Sequence, residues 1–354
     1  MQRTVLMGMS LAFFLVAGCG NEVKAQSSVT LPHPRGYVAY KTPAPIVIDG
    51  ILNDPAWRKA SWTTNFVDIE GTLKPLPRFR THAKMAWDDQ YLYIGAHIDE
   101  PQVWATLTKR DTVIFFDNDF EVFIDPNGDH FEYYEFEMNA LNTVWDLFLP
   151  KPYRDSGSAH NEWNIDGLKT AVHIRGTLNN PADIDSGWTV EIAMPWKALG
   201  KFAHKPAPPA NGDQWRINFS RVEWKVKVDG DHYVKLKGLP EDNWVWSPQW
   251  VVDMHQPELW GYVQFSTAKP GTDRFRPDPT WEARVALYQV YKAEKAFRKE
   301  HGRYALTLQE LGLQGRPGNP PVSIEPRAQG YLMTVHSGTV VLHETEDSRC
   351  WEEH

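Results

Sequence analysis

Between Gly36 and Phe265, apolar and polar residues alternate with a period of two in one segment after another. The alternation is clearest at residues 92–98, 120–125, 134–139, 188–194 and 217–220. Turn-forming residues bound these runs, among them Pro126-Asn127-Gly128-Asp129. Because successive side chains of a strand point to opposite faces, each run predicts a strand with one apolar face. Antiparallel sheets bury such faces against each other, which predicts an all-β fold, an antiparallel β-sandwich.

The composition agrees with a strand-rich chain and excludes several kinds of function. Aromatic residues make up 13% of the 354 residues, and strands favour aromatic side chains. The net charge is −8 and lysine and arginine form no run, which argues against nucleic acid as a partner. Two cysteines are too few for a disulfide framework or for a cysteine-rich zinc or iron–sulfur site.

Residues 1–18 are typical of a secretory signal peptide. Arg3 precedes an apolar stretch, Leu11–Val16, that is too short to span a bilayer permanently. Val16-Ala17-Gly18-Cys19 resembles the bacterial lipobox, which implies cleavage before Cys19 and attachment of a lipid to its sulfur; an ordinary cleaved signal is the alternative. The polar residues that follow predict a tether over residues 19–35. Lipid attachment predicts a protein of the bacterial cell envelope, anchored in the membrane at the outer membrane or the periplasmic face.

The spacing of apolar residues changes after the strand-rich region, which we assign to residues 36–268. Apolar residues from Trp281 to Phe297 recur largely at helical spacing, and Gly302 ends this predicted helix. A second, short helix is predicted at Leu308–Leu311 and a hairpin at Tyr331–Val341. The sequence therefore predicts a small α+β segment over residues 278–354.

The hairpin between Asn118 and Asn139 carries a concentration of acids. A turn at Asn127-Gly128 places four of them on one face of the two strands: Asp119, Glu121, Glu135 and Glu137. Like charges across a ladder are destabilising, so this cluster indicates that a cation, an arginine or a polyhydroxyl ligand binds there. The alternative is a solvated face that Arg216 and Arg221 neutralise.

Aromatic residues near the hairpin add a second signal, and they are Phe115, Phe116, Trp145, Trp224, Trp244, Trp246 and Trp250. A sugar ring has an apolar C–H face that flat rings cover and a rim of hydroxyls that carboxylates and amides bind. Aromatic rings beside carboxylates on a concave sheet are therefore typical of a saccharide site. By contrast, the pattern favours core positions for Trp57, Trp87 and Trp188.

Three motifs in order along the chain resemble carbohydrate-binding module family 9. Ile48–Trp57 is similar to its opening motif, Lys84–Ile94 to its next strand pair, and Asn118–Asp125, followed by Phe136–Asn139, to its central strand and partner strand. The resemblance covers residues 37–265. It implies a jelly-roll-like β-sandwich of the kind grouped with DOMON domains. In this family the domain binds plant polysaccharide chains or their reducing ends, often with structural calcium, whose ligands the resemblance does not identify here.

The resemblance also implies site residues. Glu121 matches the family's binding glutamate and Asn139 its asparagine on the partner strand, while the two tryptophans that clamp the sugar fall near Phe115 and Trp246. The family's arginine is Glu137 here, which reverses a charge in the pocket, so the resemblance does not identify the glycan. Residues and resemblance together predict seven ligand contacts: Phe115, Glu121, Glu137, Asn139, Trp145, Arg221 and Trp246.

The resulting prediction is non-catalytic binding of an oligosaccharide or polysaccharide. One alternative is a glycoside-active enzyme that uses Glu121 and Glu137 as its paired carboxylates. A second is haem binding, as in some DOMON-type domains, although the candidate ligands Met138 and Met194 lie at core positions of the pattern. Asp125–Asp129 is similar to a calcium loop but lacks the downstream acid of an EF-hand, and a hairpin turn explains the same residues.

Overall fold

The alternating runs form strands with one face in an apolar core. The computed structural model describes residues 31–314 and 320–353, so the predicted signal peptide, Cys19 and the tether up to residue 30 lie outside the described residues. The strands are β1 Gly36–Lys41, β2 Val67–Asp68, β3 Thr81–Trp87, β4 Tyr91–Ile98, β5 Asp119–Asp125, β6 Tyr133–Asn139, β7 Val144–Leu149, β8 Lys169–Arg175, β9 Gly187–Pro195, β10 Gln214–Glu223, β11 Val226–Asp229, β12 His232–Lys235, β13 Asp242–Val245, β14 Gly261–Ser266, β15 Val322–Arg327, β16 Gly330–Ser337, β17 Val340–Thr345 and β18 Cys350–Glu353. The α-helices are α1 Pro55–Lys59, α2 Trp196–Leu199 and α3 Trp281–His301.

Most of these strands belong to one curled sheet with the order β7-β6-β5-β10-β14-β1-β3-β4-β9-β8, in which β13 pairs with β10 and β2 with β13. Apolar side chains from both halves of the sheet meet in one core, which contains Phe120 of β5, Trp215 of β10 and Trp188 of β9. The predicted β-sandwich is therefore confirmed. Trp57, Trp87 and Trp188 are all buried, as the pattern predicted.

The sheet departs from a purely antiparallel arrangement at β1. This strand runs parallel to both of its neighbours, with Tyr37 beside Val263 of β14 and Tyr40 beside Ala86 of β3. Parallel neighbours need a long crossover between them. Residues 42–80, which include α1 and β2, supply that crossover between β1 and β3.

The C-terminal segment has the predicted helix and more strands than predicted. Helix α3 begins beside Asp278, whose Oδ1 accepts the Thr280 N–H at 2.8 Å, and ends at Gly302, whose φ is +70°. The predicted hairpin is confirmed as β16–β17, the centre of a four-stranded sheet ordered β15-β16-β17-β18. Arg284 of α3 joins Asp278 and Glu352 through ion pairs of 2.8 and 2.9 Å.

The helix predicted at Leu308–Leu311 is wrong, because these residues form turns. Side chains capture backbone groups there: Glu310 accepts the Leu306 N–H at 2.6 Å, and the Thr307 hydroxyl accepts the Glu310 N–H at 3.3 Å. The segment ends after one turn, because Gly312 has a φ of +65° and its N–H donates to the Gln309 carbonyl at 3.0 Å. Elsewhere, among residues 31–314 and 320–353, no helix combines the length and the apolar character that crossing a bilayer requires.

The turn between β5 and β6 sets the register of the acidic hairpin. Gly128 has a φ of +72°, and the Asp125 carboxylate accepts the N–H groups of Gly128 at 2.8 Å and of His130 at 2.9 Å. The carboxylate of Asp129 accepts the Phe131 N–H at 3.0 Å. These acids hold the turn together, in agreement with the hairpin interpretation of Asp125–Asp129.

Candidate functional site

Glu121 of β5 and Glu137 of β6 lie directly opposite each other in the ladder that joins the two strands. On either side, β10 places Ser220 beside Glu121 and β7 places Trp145 beside Glu137. Asp119 and Glu135 each come two residues earlier in their own strands and therefore share this face. The predicted sharing of one face by the four acids is confirmed. We call Asp119, Glu121, Glu135 and Glu137 the carboxylate cluster, and this side of the sheet, opposite the core, the outer face.

The carboxylate cluster is buried although it lies on the outer face. The exposed fraction of its residues runs from 0% for Asp119 to 6% for Glu135. A small apolar cluster on the same face joins Phe123 and Tyr133 to Trp260, and Ala159 and Met254 pack against it. Segments that follow β7 and β13 therefore cover part of the outer face and shield the acids from water.

Backbone groups hold two of these carboxylates in place. The Val222 N–H donates to Asp119 Oδ1 at 2.9 Å, and the Phe115 N–H donates to Glu137 Oε2 at 3.0 Å. The other oxygen of Asp119, Oδ2, is buried and has no hydrogen-bond partner. One oxygen from each of Asp119, Glu121 and Glu137 lies within 4.8 Å of the other two. The three groups thus converge, with acceptor capacity left over.

The basic side chains of the described residues do not neutralise these carboxylates. Among the described residues, no lysine or arginine forms an ion pair with the carboxylate cluster, and the one basic group nearby is His255, 3.8 Å from Glu135. Burial lowers the pKa of His255 to about 4, so its ring is neutral at pH 7. Arg216, predicted to neutralise the face, instead donates to the Pro257 carbonyl at 3.2 Å and lies 3.8 Å from the centre of the Tyr262 ring.

Burial raises the pKa of every member of the cluster, and repulsion by Glu121 raises the pKa of the other three further. Burial raises the pKa of Glu121 to about 7, and burial together with the charge of Glu121 raises the pKa of Glu135 to about 8. The pKa values of Asp119 and Glu137 are also well above the usual range, first because of burial and then because of Glu121. Without a positively charged partner, the cluster therefore retains protons near neutral pH.

Two hydrogen-bond donors beside the cluster make no hydrogen bond of acceptable length and angle. Ser220 is completely buried, and its Oγ makes no hydrogen bond of acceptable length and angle. The indole Nε1 of Trp145 is likewise buried without a partner. Buried polar groups are nearly always hydrogen-bonded, and the exceptions require an explanation. The outer face thus offers both unused acceptors and unused donors around Glu121 and Glu137.

Aromatic rings lie at the border of the carboxylate cluster. Trp145 and Phe115 are half-buried, and Tyr153 is 44% exposed. The Tyr153 ring packs edge-on against His255 at 4.5 Å between centroids. Burial, and then the charges of Glu135 and Glu137, raise the pKa of Tyr153 to about 12, which places its hydroxyl in the field of the cluster. Phe115, Glu121, Glu137 and Trp145, four of the predicted contacts, are therefore brought together.

Arg221, by contrast, lies on the core face and is completely buried. It forms ion pairs with Glu100 at 2.6 Å and with Glu223 at 2.8 Å, and it donates to Thr81 Oγ1 at 3.0 Å. Alternation explains this position, because Arg221 shares its side of β10 with Phe219, whereas Ser220 points the other way. The prediction of Arg221 as a ligand contact is wrong. We call Glu100, Arg221 and Glu223 the Arg221 network.

Two further predicted contacts are also committed to the fold. Trp246 is 1% exposed and packs in the core against Phe219 and Tyr37, so it cannot clamp a ligand. Asn139 is completely buried, its Nδ2 donates to Leu107 and to Asp117, and its Oδ1 accepts the N–H groups of Leu141 and Thr143. These bonds use the full capacity of the amide. Asn139 therefore ties loops to the sheet rather than binding a ligand.

Ser220, Tyr153 and His255 belong to the site but were not predicted from the sequence. The alternation in β10 places Ser220 opposite the core, but the pairing of β10 with β5 spans about a hundred residues and leaves no local signal. Tyr153 lies on a short 3₁₀ turn, Tyr153–Asp155, and His255 in the segment between β13 and β14. Neither position follows a periodic pattern.

A model of the family described as carbohydrate family 9 binding domain-like matches residues 48–250, which is more than half of the chain. The chain belongs to this family. The match includes β5, β6 and β10, the strands that carry the carboxylate cluster and Ser220. The family to which the sequence motifs pointed is therefore confirmed.

Two curated relatives show how far the similarity to whole proteins extends. Exoglucanase XynX of Acetivibrio thermocellus is 29% identical over 160 residues, which are 45% of this chain and 12% of the relative. Endo-1,4-beta-xylanase A of Thermoanaerobacterium saccharolyticum is 28% identical over 116 residues, which are 33% of this chain and 8% of the relative. The chain thus spans about a tenth of the length of these relatives.

Among solved structures, the chain is similar to two structures of a family 9 carbohydrate binding module from Caldicellulosiruptor kristjanssonii. One, in complex with cellotriose, has 16% identity and a TM-score of 0.43, with coverage of 69% of this chain and 100% of the module. The other, in complex with glucose, has 17% identity and a TM-score of 0.42, with coverage of 67% of this chain and 100% of the module.

Proposed function

We propose that the outer face of β5, β6 and β10 binds a saccharide without chemical change to it. The observation that carries this proposal is the combination of unused polar groups with half-exposed rings. Asp119 Oδ2, Ser220 Oγ and Trp145 Nε1 are buried without partners, while Trp145 and Phe115 border them. Membership in a carbohydrate-binding domain-like family supports the same ligand class.

In this proposal the ligand is held by two kinds of contact. The rings of Trp145, Phe115 and Tyr153 cover the apolar C–H face of a sugar. Glu121 and Glu137 accept hydrogen bonds from its hydroxyls, and charged acceptors make the stronger bonds. The hydroxyl of Ser220 and the indole N–H of Trp145 donate to sugar oxygens. A polyhydroxyl ligand thereby supplies the partners that these groups lack within the protein.

A binding role explains the arrangement of the two glutamates better than a hydrolytic one. Carboxylates that cleave a glycosidic bond flank it from two sides. Glu121 and Glu137 are instead cross-strand neighbours on one wall of the sheet. The haem alternative is not supported either, because Met138 and Met194 both lie in the core.

We further propose that the protein is anchored to the bacterial cell envelope through a lipid on Cys19. The support is the Val16-Ala17-Gly18-Cys19 sequence after a short apolar stretch. Mass spectrometry of the N-terminal peptide from membranes tests this directly. A lipid-modified Cys19 at the new N-terminus is expected, and an unmodified N-terminus at another residue would contradict it.

The saccharide proposal is tested by calorimetric titration of the full-length protein with xylo-, cello- and manno-oligosaccharides. We expect at least one series to bind, and Trp145→Ala to weaken that binding at least tenfold because it removes both the stacking ring and the unused N–H. A reducing-sugar assay on the same mixtures should show no release, and release by the wild-type protein would favour the enzyme.

Trp351→Ala is the matched control, since Trp351 is a 36% exposed tryptophan on β18, outside the outer face. It should bind the oligosaccharide like the wild type. Equal binding by Trp145→Ala and the wild type would contradict the proposed site, and a correctly folded protein that binds none of the three series would contradict the function.

A further inference from the structure

Three carboxylates of the cluster are arranged as oxygen ligands of a metal ion would be. One oxygen from each of Asp119, Glu121 and Glu137 lies within 4.8 Å of the other two, and all three side chains are buried. Calcium takes oxygen ligands at roughly 2.3–2.6 Å, so ligands on opposite sides of the ion are up to about 5 Å apart. An ion placed among these oxygens could therefore contact all three.

A fourth oxygen outside the acidic cluster points to the same ligand. Ser220 is 0% exposed, and β10 holds it beside Glu121 on the outer face. Its Oγ makes no hydrogen bond of acceptable length and angle, and neither does Oδ2 of Asp119, but both groups lie close enough to Glu121 to lower the pKa of that carboxyl. A buried hydroxyl without a partner costs free energy unless a ligand completes its bonding. A ligand with affinity for oxygen would complete the bonding of this hydroxyl, which faces the same point as the carboxylates.

When the three carboxylates are ionised, they lack a positively charged partner among the described residues. Hydrogen bonds from the Val222 and Phe115 backbones reach Asp119 and Glu137, but among the described residues no lysine or arginine pairs with the three carboxylates. On the core face of β10, the buried side chains of Glu100 and Glu223 are paired with Arg221. The buried carboxylates of the outer face have no such arginine beside them among the described residues.

We propose that Asp119, Glu121 and Glu137, with the hydroxyl of Ser220, bind one calcium ion, and that this ion coordinates hydroxyl groups of the saccharide. The second half of this inference rests on the proposed function. All four ligands are oxygens, which suits calcium rather than zinc or copper. Calcium also keeps open coordination positions when a site supplies few protein ligands, and two neighbouring sugar hydroxyls can occupy them.

The ion site is tested on the full-length protein after treatment with EDTA and removal of the chelator. Calorimetric titration with CaCl2 should show one ion bound per chain. A second titration uses TbCl3, because Trp145 lies beside Glu137, with Cβ atoms about 5 Å apart in such pairs, and its indole should sensitise terbium emission. Calcium should then displace terbium and quench that emission.

Glu137→Gln and Glu121→Gln keep the shape of the side chains and remove one charge each. Each should weaken calcium binding at least tenfold, with unchanged thermal unfolding cooperativity as evidence that the variant folds. Glu300→Gln is the matched control, because the Glu300 side chain at the end of α3 is 79% exposed, and it should bind calcium like the wild type. Absence of calcium binding in the wild type, or equal affinity in Glu137→Gln, would overturn the ion site.

The saccharide arm repeats the oligosaccharide titrations in CaCl2 and in EDTA. The inference predicts at least tenfold tighter binding in calcium. Equal binding in both would overturn the bridging role while leaving the proposed function intact. Failure to bind in either would contradict the proposed function, and the ion site would then be judged by the calcium titration alone. Tight binding of glucosamine in EDTA, lost in Glu137→Gln, would show that an ammonium group occupies the place assigned to calcium and would overturn the inference.

Discussion

Strand β10 separates two groups of buried acids, the Arg221 network on its core face and the carboxylate cluster on its outer face. In the Arg221 network, Arg221 pairs with Glu100 at 2.6 Å and with Glu223 at 2.8 Å, and Asn118 donates to both glutamates at 3.1 Å. In the carboxylate cluster, the acids are equally buried but have one another as neighbours. Both groups adjoin β10 and both are buried. They differ in that the protein supplies a positively charged partner for the Arg221 network and none, among the described residues, for the carboxylate cluster.

This difference distinguishes buried charged groups that stabilise the fold from buried acidic groups that are available to bind a ligand. Removing one member of a paired buried group leaves an uncompensated charge, so the Arg221 network is part of the framework. The carboxylate cluster reduces the stability of the free protein through repulsion and desolvation, and functional sites commonly carry such a cost. Buried acids by themselves therefore do not indicate a binding site, whereas buried acids without a positively charged partner do.

The largest effect is expected from breaking the Arg221 network. Arg221→Met removes the guanidinium and leaves Glu100 and Glu223 buried together, so the free energy of unfolding should fall by about 3–5 kcal/mol. Urea unfolding at pH 7 measures this. Arg327→Met, at an exposed position of β15, is the control and should change stability by less than about 0.5 kcal/mol. A loss below about 1 kcal/mol in Arg221→Met would show that the network is not structural.

A smaller effect is expected from the pH dependence of the carboxylate cluster in EDTA. The folded-state pKa values of Glu121, about 7, and Glu135, about 8, lie above the value of 4.5 for an ordinary glutamate. The stability from these groups is therefore fully present below pH 4.5 and is lost as the pH rises through 7 and 8. Between pH 5 and pH 8 their contribution to the free energy of unfolding should therefore fall.

Glu121→Gln isolates this contribution, because the charge of Glu121 helps to raise the pKa values of Glu135 and Glu137. Other groups, such as His255, whose pKa is lowered by burial, also make stability depend on pH. Their contribution is the same in the wild type and in Glu121→Gln, so it cancels in the difference between the two unfolding free energies. Relative to the wild type, the variant should gain stability as the pH rises from 5 to 8. Parallel pH profiles for the two proteins would show that the cluster carries no repulsion.

The acidic hairpin could be predicted from the sequence because its information is local. The alternation of Phe120 and Val122 with Glu121, and the Asn127-Gly128 turn, fix both faces and the register within 22 residues, and the structure pairs Glu121 with Glu137 accordingly. Helix α3 was predictable for the same reason, since its apolar spacing and Gly302 are read from consecutive residues.

The errors arise where distant segments decide the environment of a residue. Alternation with Phe219 already places Arg221 on the core face, but its partner Glu100 is distant in the chain, and without that partner a buried arginine is not expected. Trp145 and Trp246 are both tryptophans of strand-rich regions, and which of them is buried depends on the loops and strands that cover each. The same holds for Asn139, whose partners include Leu107 and Asp117 outside its strand.

The central claim is that the outer face, and not another surface of the sandwich, receives the ligand. A crystal structure of the full-length protein soaked in calcium with mixed xylo-, cello- and manno-oligosaccharides tests it most directly. We expect density for a sugar ring against Trp145, with hydroxyls at the ion held by Glu121 and Glu137. A sugar bound elsewhere, while Glu121 and Glu137 stay bonded only to each other or to water, would contradict the account.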